Sequence, residues 1–325
     1  MFPAAVHYRE FAPCGALREH VRAFFSFAPP VEHSPGGRPL LRDVRLREGD
    51  PFCPRSVADG HVSLVFNFER ACTRGGRWRR ALSAPRAHAI GPMSAAGTAA
   101  AGLQPEAMGV FLRAGRSRAL TGAPPAELAD RSVALDDLWG AAAAGLPAEF
   151  AAAGEAARIN RLESILLLRL AQAPAAETAL NVPGLAQCIL RARGRMKIER
   201  LADAAGVSRQ HLTRAFREAV GVTPKLFARL ARFHSGLAYA GCGVNVDWAQ
   251  TALELGYADQ SHMIAEFREF SSLTPEALAR QRWFHPFIVH ARSARSRDEA
   301  SSAYSFTWTT CAGSKPLKCV AEALL

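Results

Sequence analysis

Residues 198–224 read IERLADAAGVSRQHLTRAFREAVGVTP, and residues 248–275 read WAQTALELGYADQSHMIAEFREFSSLTP. The second stretch repeats the first. Ile198 matches Trp248, Ala202 matches Ala252 and Gly206 matches Gly256, each 50 positions apart. One extra residue in the second turn moves the later matches to 51: Phe216 with Phe267, Arg217 with Arg268, and Thr223-Pro224 with Thr274-Pro275. Each copy has the grammar of a helix, a tight turn and a second helix. In the first copy Ile198, Leu201, Ala202 and Ala205 form one apolar helical stripe. Gly206 supplies the backbone freedom that a helix C-cap needs, Val207 fills the angle between the helices, and Ser208 is a natural N-cap.

The faces of the second helices follow from the same spacing. Leu212, Ala215, Phe216 and Ala219 lie together and are expected to pack inward. The opposite face then presents Arg209, Gln210, Thr213, Arg214 and Arg217. In the second copy Asp259 is the expected N-cap, and Met263, Phe267 and Phe270 turn inward. Gln260, Ser261, Ile264, Ala265 and Arg268 are left outside. The outward donors suit base edges and phosphates, and Ile264 and Ala265 suit thymine methyls. The candidate DNA-binding helices are therefore 208–220 and 259–270. Charge separates the two copies. From Arg191 to Arg232 there are 11 basic and three acidic residues, whereas from Asp247 to Arg282 there are three basic and six acidic. The first copy is expected to supply most of the grip on phosphates.

The stretch from about Leu180 to Arg282 resembles the DNA-binding domain of the AraC/XylS family of bacterial regulators. The residues that carry the resemblance are LADAAGVS with the later Leu and Phe, GVTPKLFARLARF, ALELGYADQSH, FREF and LTP. It implies a seven-helix domain in which a long helix, here holding Phe227 to Ala238, joins two helix-turn-helix units. It also implies recognition helices in successive major-groove segments, about 34 Å apart. Matched position by position, the base-reading sites fall on Gln210, Thr213 and Arg214, then on Gln260, Ser261 and Ala265. Two positions depart from the family pattern. Ala265 stands where a long polar or basic residue is common, and Ser271-Ser272 replaces a more usual Gly before the Thr-Pro.

The first 150 residues have a different texture. Val62-Ser63-Leu64-Val65-Phe66-Asn67-Phe68 and Met108-Gly109-Val110-Phe111-Leu112 read as strands among Gly and Pro breakers. An α+β domain with antiparallel sheet is expected there. YREFAPCGALREHVRAFFSFAP, ADGHVSLVFNF, GPMS and ALTGAPPAELADRSVALDDLWG resemble an N-terminal domain of one subgroup of the same family, which implies a regulatory or sensing role without naming an effector. From Glu155 to Ala171, Ile159, Leu162, Leu166 and Leu170 recur at helical spacing, a stripe that suits either a second copy of the chain or the N-terminal domain itself.

The reading of the whole is a multidomain protein. Residues 1–150 form an N-terminal regulatory domain, and 151–180 a linker helix with a candidate role in dimerisation. Residues 181–286 form an all-α, homeodomain-like domain of two helix-turn-helix units joined by a long helix, and 287–325 a disordered tail. The 325 residues are enough for two cores, and a net charge of +11 suits an anionic partner. No apolar run reaches the ~20 residues needed to span a bilayer, so no membrane partner is expected. The N-terminus does not read as a signal peptide, and a cytoplasmic location follows. Seven scattered cysteines without a Cys-x-x-Cys pair argue against a disulfide framework or a zinc ribbon. His7, His20, His33, His61 and His88 form no His-x-His or His-Glu-x-x-His pattern, so no metal, cofactor or catalytic residue is assigned. The expected partner is double-stranded DNA, with RNA polymerase, a small-molecule effector and a homodimer mate as further candidates. Two other readings stand beside this one: a DNA-repair or small-molecule enzyme with an appended helix-turn-helix domain, and a protein–protein adaptor.

Overall fold

The computed structural model describes residues 6–28, 40–46, 55–68, 87–98, 106–174, 180–241 and 246–280. The chain divides into two compact units near Thr178 and Ala179. The tail expected at 287–325 lies outside the described residues.

Among the described residues the N-terminal unit has nine strands: β1 (Val6–Phe11), β2 (Val21–Ala28), β3 (Leu40–Leu46), β4 (Arg55–Ser56), β5 (Ser63–Asn67), β6 (Ala87–Ile90), β7 (Gly97–Thr98), β8 (Ala107–Leu112) and β9 (Ser132–Ala134). Among the described residues seven of them form one antiparallel sheet in the order β3-β1-β2-β8-β5-β6-β9, and β4 pairs with β7. Helices α1 (Arg118–Thr121) and α2 (Pro125–Leu128) lie between β8 and β9, and α3 (Leu135–Trp139), α4 (Leu146–Ala152) and α5 (Glu155–Gln172) follow β9, which fits the α+β class read from the sequence.

Register decides which side chains share a face. Phe11 lies opposite Phe24, Phe24 opposite Val110, and Val110 opposite Leu64. That row, with Phe66 and Met108, packs against Ile159, Leu162 and Leu166 of α5 and Phe150 of α4. The Phe66 and Phe150 rings meet edge to face at 5.0 Å. The stripe on α5 is therefore covered by the sheet of its own unit. What α5 leaves exposed lies on its other side, where Leu168 is 60% accessible. Arg9 shares the covered face of β1 and is buried, and its charge is met by Glu155 in the first turn of α5 at 3.0 Å. A carboxylate there also suits the positive end of the helix dipole.

The opposite face is buried as well. Tyr8 stacks on Phe27 at 4.7 Å, Phe25 on Phe111 at 4.6 Å, and the Arg22 guanidinium lies 4.3 Å from the Phe111 ring centre. A sheet buried on both sides has no need of polar alternation. This explains why β5, with the sequence SLVFN, is buried along its whole length. Asp59-Gly60-His61 forms the turn before β5. The Asp59 and Met93 backbones exchange hydrogen bonds at 3.1 and 2.7 Å.

Burial pushes the Asp59 carboxyl from 3.8 up to about 7, against the opposing pull of Arg22 and the His61 amide. In this pH range the native state holds a proton that the unfolded chain releases, so the contribution of Asp59 to stability is lost as pH rises from about 4 through 7. Hydrogen exchange of the β5 amides in the wild type and in Asp59→Asn checks this. Protection of the wild type relative to the variant should fall between pH 4 and 7, and a constant difference would contradict the assignment.

Candidate nucleic-acid interface

The C-terminal unit is wholly helical among the described residues: α6 (Val182–Arg191), α7 (Ile198–Ala204), α8 (Arg209–Val220), α9 (Pro224–Gly241), α10 (Trp248–Glu254), α11 (Gln260–Ser271) and α12 (Pro275–Arg280). The sequence repeat becomes a repeat of hydrogen bonds. After α7, Val207 N donates to Ala202 O at 3.1 Å and Gly206 N to Asp203 O at 3.0 Å. After α10, Tyr257 N donates to Ala252 O at 2.9 Å and Gly256 N to Leu253 O at 3.0 Å. Both closures need a left-handed residue, and the two glycines take φ of 66° and 78°. The next helix is capped the same way in each copy. Ser208 Oγ accepts from His211 N at 3.1 Å, and Asp259 Oδ1 from His262 N at 2.7 Å. The repeated Thr-Pro is a third matched device, with Thr223 and Thr274 capping α9 and α12 and proline in the first helical position.

Helix α9 is the spine on which both copies pack. Phe216 of α8 meets Phe227 at 5.4 Å, and Phe267 of α11 meets Phe233 at 5.0 Å, both edge to face. Phe270 adds a second contact to Phe233 at 5.4 Å. Burying such rings is worth roughly 2–3 kcal/mol each, enough to set the roll of each helix about its axis. With Phe216 inward, Arg209, Gln210, Arg214 and Arg217 are exposed and Thr213 is half-buried. With Phe267 inward, Gln260, Ser261, Ala265 and Arg268 are exposed and Ile264 is half-buried. Two of these groups already have a contact within the chain. Arg209 bridges to Glu199 at 3.1 Å, and the Thr213 hydroxyl donates to the Arg209 carbonyl at 2.8 Å. The backbone amide of Glu199 and then Arg209 hold the Glu199 carboxyl below its usual range.

Glu266 was not singled out by the sequence reading. It is only 3% exposed, on the inner face of α11 between Met263 and Phe270. Arg229 Nε donates to its Oε1 at 2.7 Å, and Arg232 Nη2 reaches the same oxygen at 3.4 Å. Arg229 also donates to Glu269, and Arg232 Nη1 donates to the Gly256 carbonyl at 3.1 Å. The two arginines of α9 thus hold both the second turn and the second outward-facing helix. Partial burial works against the Arg229 charge, and Glu269 and Glu266 more than offset it, so the guanidinium stays above its ordinary pKa. Tyr257 lies beneath Arg232, and burial pushes its phenol up, with Glu266 adding to the effect. The signal for Glu266 was its spacing, three residues after Met263 and four before Phe270, a position where an acid needs a partner.

Ser272 occupies the place that Gly221 holds in the first copy and takes the left-handed conformation at φ 62°. A non-glycine residue there costs roughly 1–2 kcal/mol. Ser271 Oγ supports the turn by donating to the Phe267 carbonyl at 2.6 Å. Replacing Ser272 with Gly should stabilise the C-terminal unit by about 1 kcal/mol, and Glu266→Gln should destabilise it by about 3 kcal/mol. Urea unfolding of both variants checks the signs.

Two comparisons with known families bear on these units. Residues 201–281 match a family described as a helix-turn-helix domain, and residues 9–134 match a domain of unknown function (DUF6597). No curated protein and no solved structure matches the chain. Among the described residues no helix is long and apolar enough to cross a membrane, and no group of three or more His, Cys, Asp and Glu side chains is placed to hold a metal ion. With its paired turns and matched caps, the C-terminal unit is a DNA-binding helix-turn-helix domain of the AraC type, carried behind an N-terminal domain of unknown function.

Proposed function

We propose that α8 and α11 are the recognition helices, that they enter successive major-groove segments on one face of the duplex, and that the N-terminal unit regulates this binding. The observation that carries the reading is the duplication of turn, cap and buried phenylalanine, which gives both helices an outward polar face. In the first unit Gln210 and Arg214 are the base-reading donors, Thr213 offers its methyl and an acceptor, and Arg209 and Arg217 contact phosphate. In the second, Gln260 and Ser261 are the polar readers, Ile264 and Ala265 meet thymine methyls, and Arg268 contacts phosphate. The N-terminal unit, with its own core, is assigned the regulatory part. RNA polymerase and a small-molecule effector remain the partners that such a part serves.

The charge asymmetry survives the internal ion pairs. Arg229 and Arg232 are spent on Glu266 and Glu269. Setting those four aside leaves nine basic against three acidic residues in the first stretch, and three basic against four acidic in the second. Phosphate affinity follows the cations, so the first unit grips harder. Two recognition helices on one chain also cover two grooves without a second copy.

Selection of bound DNA from a random pool by the full-length protein should enrich a non-palindromic motif with two segments about one helical turn apart. On the selected site Arg214→Ala should weaken binding by about tenfold or more, and Arg268→Ala by a smaller factor. Equal losses would remove the asymmetry. No enrichment at any salt concentration would favour the adaptor reading.

A further inference from the structure

The segment from the end of α6 into α7 carries Arg191, Arg193, Arg195, Lys197 and Arg200 within ten residues. It is not a loose run of charge. Gly194 N donates to Ile189 O and Arg195 N to Ala192 O, both at 2.9 Å, while Arg193 and Gly194 take φ of 50° and 71°. A Cβ on Gly194 would stand 1.9 Å from the Ala228 carbonyl oxygen, so this backbone lies directly on the spine helix.

Its two ends reach both helix-turn-helix units. The Arg195 stem packs over the second turn, its Cγ 3.1 Å from where a Cβ of Gly256 would stand, and that turn runs through the Asp259 cap into α11. At the other end Glu199, next to Arg200, is bridged to Arg209 in the first turn of α8. The segment therefore lies between the N-terminal ends of the two outward-facing helices. Arg195, Lys197 and Arg200 are exposed, and none of the three has an ion-pair partner among the described residues.

We propose that Arg195, Lys197 and Arg200 form a third DNA contact, gripping the phosphates that lie between the two major-groove segments. The proposal rests on the reading of α8 and α11 as recognition helices. Two helices in successive grooves on one face straddle a stretch of sugar–phosphate backbone, and a fixed loop between their N-termini faces that stretch. Its side chains are donors only and lie between the two groove-entering helices, so the acceptors within their reach are phosphate oxygens. Their contribution is counterion release, the same on any sequence.

The test uses the full chain carrying R195Q, K197Q and R200Q together, titrated over a range of salt on the DNA selected by the wild type and on unrelated DNA. Each cation removed should lower the slope of log affinity against log salt by about 0.9, and affinity should fall by the same factor on both DNAs. The double variant R195K and R200K should keep the wild-type slope. K197Q and R200Q singly, each on an exposed side chain, repeat the test at about one unit each should the triple variant lose its fold. A slope unchanged in these variants, or a loss confined to the selected site, overturns the proposal. Failure of the wild type to select any site overturns the recognition-helix reading instead.

Discussion

Phe216 and Phe267 sit at matching places in α8 and α11, both fully buried, and each meets a phenylalanine of α9. This contact sets which side of each helix faces away from the core. If either ring left its place, the donors on the opposite side would rotate with it. Truncation of such a ring to alanine costs roughly 3–5 kcal/mol, comparable with the total stability of a small domain. The left-handed turns at Gly206 and Gly256 fix the angle at which each helix leaves its partner. The Ser208 and Asp259 caps fix where each helix begins.

The charges of the C-terminal unit serve two different ends. Arg229 and Arg232 are directed inward to Glu266 and Glu269, so they secure α11 to α9 and have little charge left for a partner. Arg214, Arg217 and Arg268 are directed outward from the helices. A bare count of basic residues merges the two groups. The geometry separates them: the second unit, although acidic overall, still presents the exposed Arg268, Gln260 and Ser261.

The helix-turn-helix pair was legible because its determinants are local. A turn glycine, a capping Ser or Asp, a Thr-Pro and an inward Phe each act within a few residues, and their repetition at 50 and 51 positions made them visible. Glu266 was harder, because an acid on a helix is ordinarily solvated and its partners lie 34 and 37 residues away. In the N-terminal unit β5 and β8 were legible as apolar runs. Strand β1 was not, since buried His7, Arg9 and Glu10 interrupt its apolar pattern and are accommodated by contacts that sequence spacing does not reveal. The stripe on α5 was read correctly as apolar. Its two possible uses were indistinguishable in sequence, because a sheet and a second helix cover the same residues.

The most direct measurement is hydroxyl-radical footprinting of the full-length protein on a duplex site that it selects. The expected protection lies on one face of the DNA and reaches both of two major-groove segments about ten base pairs apart, with the stronger protection beside the segment read by α8. Protection confined to one half of the site would contradict the claim that both helices read DNA.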